Sequence, residues 1–257
     1  MFALVTGASS GIGLAMSREF ALRGYPLILV SNEGERLEQV AEEIHAKYNV
    51  KTVAFCMDLA LPDSAEKLFA FCTENFLKVE ILVNNASIFF FKDIVDTPVS
   101  RMETMINLHV LTPSLLCRLF AEEMIHEKRG GYIMNIASIS ARMMMPGITL
   151  YSSSKSFLRG FSRAMRLETF DSGVNITTIC PGAIATDLYS LASDYMRLGI
   201  RLGVIMKPER FARLAVNKMF RRTAEYIPGA FINRLFIFLV ESTPEFVIRI
   251  IRRRLAK

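Results

Sequence analysis

Short apolar runs alternate with longer helical patterns along most of the chain, and this alternation restricts the fold more than any other feature. The apolar runs have strand length and lie at residues 2–6, 26–31, 50–59, 79–86, 130–138 and 173–182, with a last short run at 225–228. The helical patterns lie between them, at residues 14–24, 34–48, 62–76, 98–128, 152–171 and 207–222. Connections of this length join parallel strands through right-handed crossovers. We therefore predict a single α/β domain, a doubly wound parallel sheet of about seven strands with helices on both faces.

A glycine-rich turn connects the first apolar run to the first helix, in the sequence FALVT-GASSGIG-LAMSREF. Gly7 permits the tight turn, and Gly11 and Gly13 allow backbone and ligand to approach closely. The N–H groups of such a turn and of the helix that follows form a site for a diphosphate. A glycine turn without a ligand is the alternative, and the spacing does not match a nucleoside-triphosphate P-loop.

Several polar and small residues occur where the predicted strands end. They are Gly7–Gly13, Asp58, Asn84–Ala86, Ser138 and Pro181–Gly182. Ligands of open parallel sheets bind beyond the carboxyl ends of the strands. We expect these residues to line one continuous crevice.

A hydroxyl, a phenol and an ammonium fall within one short segment, at Ser138, Tyr151 and Lys155. Tyr151 and Lys155 are four residues apart, so on a helix of about 3.6 residues per turn they share one face. A nearby cation favours the ionised form of a phenol, which makes Tyr151 a candidate proton donor and acceptor. Taken alone, the same spacing is also typical of a helix face that meets solvent.

The order and spacing of these motifs resemble the short-chain dehydrogenase/reductase family over roughly residues 1–190. The motifs are TGASSGIG (6–13), NNA (84–86), Asn107, Ser138, YSSSK (151–155) and PG (181–182). The resemblance implies a Rossmann-type fold and an NAD(P)-dependent oxidoreductase that interconverts a carbonyl and a secondary alcohol. A catalytically silent NAD(P)-binding sensor or scaffold on the same fold is the alternative.

The resemblance also implies the catalytic roles. Tyr151 exchanges the proton, Lys155 favours the ionised phenol and holds the nicotinamide ribose, and Ser138 polarises the substrate oxygen. Asn107 anchors a water that links Lys155 to solvent.

For the cofactor, the resemblance implies contacts from the glycine turn, the strand ends and the catalytic helix. The residues concerned are Gly7, Ser9, Ser10, Gly11, Ile12, Gly13, Ser31, Asn32, Asp58, Leu59, Asn85, Ala86, Tyr151, Lys155, Pro181, Gly182 and Thr186. Ser31 stands where NAD-preferring members usually carry Asp, which favours NADP over NAD. Glu33 lies close by and opposes that preference, and Ser87 replaces the family's usual third glycine.

The substrate end of the predicted crevice is apolar. Three phenylalanines follow the fourth strand at Phe89–Phe91, and ARMMMPGITL separates Ser138 from Tyr151. Together with a loop at about residues 183–206, they predict a pocket for a lipophilic carbonyl or alcohol, such as an acyl chain or a sterol-like body. Packing of the same residues in the core is the alternative.

The excess positive charge of the chain is concentrated in its last twelve residues. The net charge is +6, and residues 246–257 hold four Arg and one Lys without an acid, which leaves +1 for the rest. We therefore predict no nucleic-acid partner, and the absence of ligand-spaced Cys and His pairs predicts no metal site.

We divide the chain into a nucleotide-binding domain, residues 1–228, and a hydrophobic and basic extension, residues 229–257. Three roles remain open for the extension: contact with an anionic membrane surface, a dimer contact, or a helix packed over the mouth of the crevice. Four separated cysteines and the lack of a signal-peptide pattern or an apolar run of membrane-spanning length predict a cytoplasmic location. The family analogy predicts a dimer or tetramer.

Overall fold

The computed structural model describes residues 1–143, 145–186, 193–201 and 204–247. Within them the strands are β1 (Phe2–Thr6), β2 (Leu27–Ser31), β3 (Thr52–Cys56), β4 (Val79–Asn84), β5 (Gly131–Ile136), β6 (Val174–Ile179) and β7 (Glu225–Tyr226). The helices are α1 (Gly11–Leu22), α2 (Gly34–Tyr48), α3 (Ser64–Glu74), α4 (Val99–Ile106), α5 (Thr112–His126), α6 (Thr149–Glu168), α7 (Ser193–Arg201), α8 (Pro208–Phe220) and α9 (Ala230–Glu241).

The seven strands form one parallel sheet in the order β3-β2-β1-β4-β5-β6-β7, which confirms the predicted fold class. The chain winds outward from β1 to β3 and then returns to continue on the other side of β1 with β4. The order of strands therefore reverses between β1 and β4, where the ends of doubly wound sheets form a ligand crevice.

Both faces of the sheet are buried because alternate strand residues point to opposite sides. Ala3 and Val5 of β1 belong to one core, which α1, α2 and α8 cover. Leu4, between them, belongs to a second core, which is covered by α3, α5 and α6. The continuous apolar runs of the sequence thus reflect strands covered on two sides.

The predicted helix at residues 98–128 is divided in the structure. A π-helical turn, Asn107–Leu111, separates α4 from α5. Pro113 has no N–H to donate to the carbonyl four residues earlier, and such a missing bond favours a local change of helical pitch. This turn was not predicted from the sequence.

The helical stretch Val99–His126 is 28 residues long, and by length and composition alone it could cross a membrane. In the protein, 44% of its most apolar window is buried. Leu116, Cys117 and Phe120 pack in the second core against the sheet. This packing is that of a core helix.

Beneath the crevice, a chain of buried hydrogen bonds connects the sheet to α6. The amide of Asn84 donates to the side-chain oxygen of Asn135 at 2.8 Å, and the amide of Asn135 donates to Ser162 at 2.8 Å. The first asparagine of the NNA motif therefore lies inside the fold, away from the crevice.

Candidate active site

The glycine turn between β1 and α1 depends on close backbone packing. Gly7 has a φ of +65°, and a Cβ there would lie 3.0 Å from the Cα of Ala86. A Cβ on Gly13 would overlap the carbonyl oxygen of Gly7. The prediction that Gly13 allows a ligand to approach is therefore wrong. The backbone of Gly7 occupies that space, and the missing side chain of Gly13 allows α1 to pack against the turn.

Asn85 and Thr6 hold the turn in place. Asn85 donates from its amide to the carbonyl of Thr6 at 2.8 Å, and the Thr6 hydroxyl accepts from the N–H groups of Asn85 and Ala86. Consequently β1 and β4 end at one level, and the first N–H groups of α1, which have no acceptor within the helix, lie at the crevice.

A cleft of about 280 Å³ follows the carboxyl ends of the strands. All the residues assigned above to the cofactor line it except Gly13. Its further lining residues are Glu33, Met57, Ser87, Ile88, Leu108, Ile136, Ala137 and Ile184. A cleft therefore lies where the predicted strand ends meet. Ala8, Asn84 and Ser138, which were also expected to line it, are not among its lining residues.

At the β2 end of the cleft, three polar side chains form a connected group. The Ser9 hydroxyl donates to the Glu33 carboxylate at 2.6 Å and lies 2.9 Å from the Ser31 hydroxyl. The N–H of Glu33 in turn donates to Ser31. The Glu33 carboxylate therefore lines the cleft beside Ser31 and Asn32.

Asp58 lies in the turn that follows β3 and also lines the cleft. Its Oδ1 atom accepts from the N–H of Ala60 at 2.9 Å. The carboxylate is thus oriented by its own turn, with its second oxygen available to a ligand.

The phenol and the ammonium lie on the buried face of α6. Tyr151 is 5% exposed and Lys155 is 2% exposed, and both line the cleft. The Lys155 Nζ donates to the carbonyl of Ile136 at 3.1 Å and lies 5.8 Å from the centre of the Tyr151 ring. Burial lowers the pKa of Lys155 to about 8, because the charged amine loses its hydration.

Ser138 follows β5 and lies next to the lining residue Ala137. Its Oγ accepts from the N–H of Ser140 at 3.1 Å, at the start of a short 3₁₀ helix, Ile139–Arg142. This bond uses a lone pair of the oxygen and leaves the hydroxyl proton for another acceptor.

Asn107 lies at the start of the π-helical turn. Its side-chain amide donates to the carbonyl of Ala60 at 3.0 Å, so it joins this helix to the turn after β3. Its neighbour Leu108 lines the cleft. The proposed water relay from Asn107 to Lys155 therefore has no support from the side-chain amide, and it stays a prediction.

His109 also belongs to the site, although no sequence motif singled it out, and it is 1% exposed in the same π-helical turn. Its ring meets the Tyr151 ring edge-on, with centres 5.7 Å apart. Phe89 makes a similar contact with Tyr151, at 5.0 Å. A lone histidine two residues after Asn107 was the available signal, but the pattern gave no indication that it faces α6.

The C-terminal helix α9 closes one side of the site. A Cβ on Gly182 would lie 2.7 Å from the Asn233 side chain, which donates to the carbonyl of Pro228 at 2.5 Å. Ile237 of α9 packs with Ile139, Met143 and other residues around Ser138. Helix α9 therefore packs beside the cleft. The three roles left open for the extension stay predictions, and residues 248–257 lie outside the described chain.

Part of the predicted substrate region also lies outside the described residues, namely Met144 and positions 187–192 and 202–203. In the described part, α7 carries nine residues of the predicted loop, and Ile184 pairs with Met206 in an isolated bridge. The Thr186 side chain lies close to Gly11, where a Cβ would be 3.1 Å from its methyl group.

Comparison with known families gives one family match that covers most of the chain. The family described as short chain dehydrogenase matches residues 1–195. Very-long-chain 3-oxoacyl-CoA reductase-B of Danio rerio is 31% identical over 236 residues, which cover 89% of this chain and 72% of that protein. Very-long-chain 3-oxoacyl-CoA reductase of Homo sapiens is 31% identical over 253 residues, which cover 96% of this chain and 76% of that protein.

Solved structures resemble the chain over nearly its whole length. A structure described for its insight into 7β-hydroxysteroid dehydrogenase stereoselectivity superimposes with a TM-score of 0.85 and 25% identity, over 96% of this chain and 95% of that one. A short-chain dehydrogenase from Sphingobium yanoikuyae in complex with NADPH gives a TM-score of 0.80 and 25% identity, over 95% and 96%.

Proposed function

This chain belongs to the short-chain dehydrogenase family, and we propose that it is an NAD(P)-dependent oxidoreductase that interconverts a lipophilic ketone and its secondary alcohol. The observation that carries the proposal is the cleft itself. One cleft is lined at one end by the glycine turn and the start of α1, and at the other end by the buried Tyr151–Lys155 face of α6. The 3-oxoacyl-CoA reductases among the relatives act on a carbonyl of an acyl chain, as their name states, which supports the same reaction class.

Tyr151 is the proposed general acid in carbonyl reduction and the general base in alcohol oxidation. NAD(P)H held in the cleft would be the source of the hydride. The Tyr151 phenol gives the proton that the developing alkoxide needs. Lys155 is held behind the ring by the carbonyl of Ile136, and its positive charge stabilises the phenolate that proton transfer leaves. Ser138 keeps its hydroxyl proton for the substrate oxygen.

The cleft fits a dinucleotide. The approach of Gly7 to Ala86 leaves the turn without side chains above it, and the N–H groups at the start of α1 suit a diphosphate. We propose NADP as the preferred form, since Ser31 and Asn32 present small neutral groups where the ribose 2′ position falls in this fold. The bound NADPH in the Sphingobium yanoikuyae structure supports this preference.

We propose a substrate with an apolar body. Phe89 against Tyr151 and Met143 within the apolar cluster near Ser138 provide an apolar surface on two sides of the phenol. The named substrates of the relatives, a very-long-chain 3-oxoacyl-CoA and a hydroxysteroid, both have this character.

A panel of ketones graded by chain length tests the function. We expect NADPH oxidation to be fastest with 3-oxoacyl thioesters or bulky cyclic ketones and slow with acetone. NADPH binding without turnover on any substrate in either direction would instead support the silent sensor.

We further propose a cytoplasmic protein whose α9 contacts an anionic membrane surface. The outer side of α9 exposes the apolar side chains of Leu235, Phe236, Phe238 and Leu239. Four arginines and a lysine follow between residues 249 and 257, and this combination of apolar and basic groups suits anionic lipid. Flotation with phosphatidylserine vesicles should recover the full chain, and a variant with Phe236 and Phe238 changed to Ser should remain unbound.

For assembly we propose a homodimer through α5 and α6. Phe157 on α6 and Leu111, immediately before α5, are 43% and 49% exposed, more than their apolar side chains favour in a monomer. Light scattering of the full chain tests this, and a Phe157→Glu variant should be monomeric. If the dimer formed through the outer side of α9 instead, the variant with Phe236 and Phe238 changed to Ser would be monomeric, and Phe157→Glu would remain a dimer.

A further inference from the structure

The two ring nitrogens of His109 form hydrogen bonds to two different segments next to Tyr151: the loop after β4 and helix α6. Its Nε2 atom lies 3.1 Å from the main-chain N of Ile88 and 2.9 Å from the Ser87 hydroxyl, in the loop after β4. Its Nδ1 atom lies 3.0 Å from the Ser154 hydroxyl on α6. Ser154 donates to the main-chain carbonyl of Tyr151 at 2.9 Å.

These contacts determine which nitrogen of His109 carries the proton. The N–H of Ile88 can only donate, so Nε2 must accept, and the proton of a neutral ring then resides on Nδ1. Nδ1–H donates to the Ser154 oxygen, whose own proton goes to the Tyr151 carbonyl. Each hydrogen atom in this series of bonds has one acceptor. A second ring proton, on Nε2, would point at the N–H of Ile88, which is itself a donor.

Charge and burial favour the same neutral form. The ring is almost fully buried, and Lys155 lies near it, so the pKa of His109 falls well below its usual value of 6.5. The group therefore holds its donor and its acceptor unchanged through the neutral pH range.

We infer that His109 is a positioning residue for Tyr151. It fixes the Tyr151 side chain through its bonds to the loop after β4 and to α6, and this inference rests on the proposed function. The α6 contact passes through Ser154 to the backbone of Tyr151. The loop contact fixes Ser87 and Ile88, directly before Phe89, whose ring makes an edge contact with the Tyr151 ring. His109 itself touches Tyr151 ring to ring.

The π-helical turn explains how a helix residue reaches both segments. Asn107–Leu111 is a π-helical turn, which holds more residues per turn than an α-helix and which the missing N–H of Pro113 favours. This turn contacts α6 directly. His109 is buried there, while Asn107 of the same turn bonds to Ala60 on another side. The turn thus presents two side chains in different directions within three residues.

The test compares variants that remove the hydrogen bonds of His109 to the loop after β4 and to Ser154 on α6, separately and together. His109→Phe keeps a ring but removes both nitrogens, Ser154→Ala removes the bond to α6, and His109→Gln retains an acceptor near the position of Nε2. With NADPH and a long-chain ketone, we expect kcat to fall about 10-fold to 100-fold in His109→Phe, because a small misplacement of a reacting group has effects of that size. His109→Gln should recover part of the rate.

The KM for NADPH and its dissociation constant, measured by NADPH fluorescence, should stay within about twofold, because His109 makes no contact with the glycine turn that binds the diphosphate. The His109→Phe/Ser154→Ala double variant should lose little more than His109→Phe alone, since both changes act on one chain of bonds. His45→Phe is the matched control: His45 also bonds through Nδ1 to a neighbour, the Val50 carbonyl, but far along α2.

Three results would overturn the inference. A His109→Phe enzyme with kcat within twofold of the wild type would exclude positioning, and losses that add fully in the double variant would exclude action through Ser154. A fall in rate that merely follows the folded fraction, measured by circular dichroism, would reduce His109 to a structural residue. These results would leave the proposed function intact, whereas a wild type inert toward every ketone would overturn both.

Discussion

Lys155 donates its Nζ hydrogen bond to the carbonyl of Ile136, 3.1 Å away, in a position where almost no water reaches the amine. One main-chain oxygen replaces the hydration of a whole ammonium group, which explains the pKa of about 8. The same residue is thus essential for the proposed chemistry and unfavourable for folding.

Lys155→Met should therefore give a more stable but inactive protein. The unfolded chain binds the lysine proton up to a pH near 10.5 and the folded chain only up to about 8, so the charged amine disfavours folding below pH 8. Relief of this effect, less the lost hydrogen bond, should raise the free energy of unfolding at pH 7 by about 1–3 kcal/mol, or roughly 2–4 °C in Tm for each kcal/mol.

Thermal unfolding at several pH values checks this sign. The gain of Lys155→Met over the wild type should be full at pH 7 and shrink as the pH rises from 8 toward 10.5, where neither state of the wild type holds the proton. The exposed Lys67→Met serves as control and should show no such trend. A gain that is the same at pH 7 and pH 10 would contradict the desolvation argument.

Tyr151→Phe should stop the chemical step while the fold and the cofactor site remain. The edge-on contacts of the ring with Phe89 and His109 need no hydroxyl, so the phenyl ring should keep its place. Loss of a general acid should lower kcat by about 10²- to 10⁴-fold. Stopped-flow measurement of NADPH oxidation, together with NADPH binding by fluorescence, checks both halves. A variant with most of its rate would refute the proton-transfer role.

Glu33→Gln should improve NADPH use relative to NADH. The Glu33 carboxylate lines the cleft beside Ser31 and is bonded to Ser9, so it opposes a 2′-phosphate without blocking it. Removal of one repulsive charge near the surface is worth about 1 kcal/mol, and the ratio of kcat/KM for NADPH over NADH should rise about fivefold. Glu35→Gln, in the first turn of α2 and exposed, is the control. An equal change with both cofactors would show that Glu33 does not select between them.

Gly182→Ala should weaken the protein, and Asn233→Ala should partly restore it. The new methyl group would lie 2.7 Å from the Asn233 side chain, so α9 must shift, at about 1–3 kcal/mol. In an Asn233→Ala background the same methyl group has room. Tm and the NADPH dissociation constant of all four proteins form a double-mutant cycle, and losses that simply add would show that α9 does not press on Gly182.

The sequence was sufficient for the fold because its signals are local and repeated. The apolar runs predicted all seven strands, although the strand ends were extended by up to three residues into loops, as at β4, which ends at Asn84 instead of Ala86. Apolar residues just beyond a strand look like strand residues until the sheet register is known. Leu59, for instance, continues the apolar pattern of β3 but packs in the second core after the strand has ended at Cys56.

What the sequence did not reveal depends on contacts between distant segments. In the sequence His109 could not be distinguished from other helical histidines, because its partners Ile88 and Ser154 lie in different elements of the fold. The role of Gly13 was misjudged because its neighbour is a carbonyl on the preceding turn, which a pattern of glycines does not distinguish from a ligand. Asn233 gave no signal at all, because Gly182, which it covers, is remote in the chain.

The contact of Asn233 with Gly182 also bears on how the protein is made. Because the glycine turn precedes α9 in the sequence, translation completes β1, β2 and β4 long before it reaches the helix that covers Gly182. Until then the apolar surface around Ile139 and Met143, which Ile237 covers in the finished fold, is open to water. Ribosome-bound chains should therefore attract chaperones at this surface, and a chain cut short before α9 should be cleared faster than one cut after it.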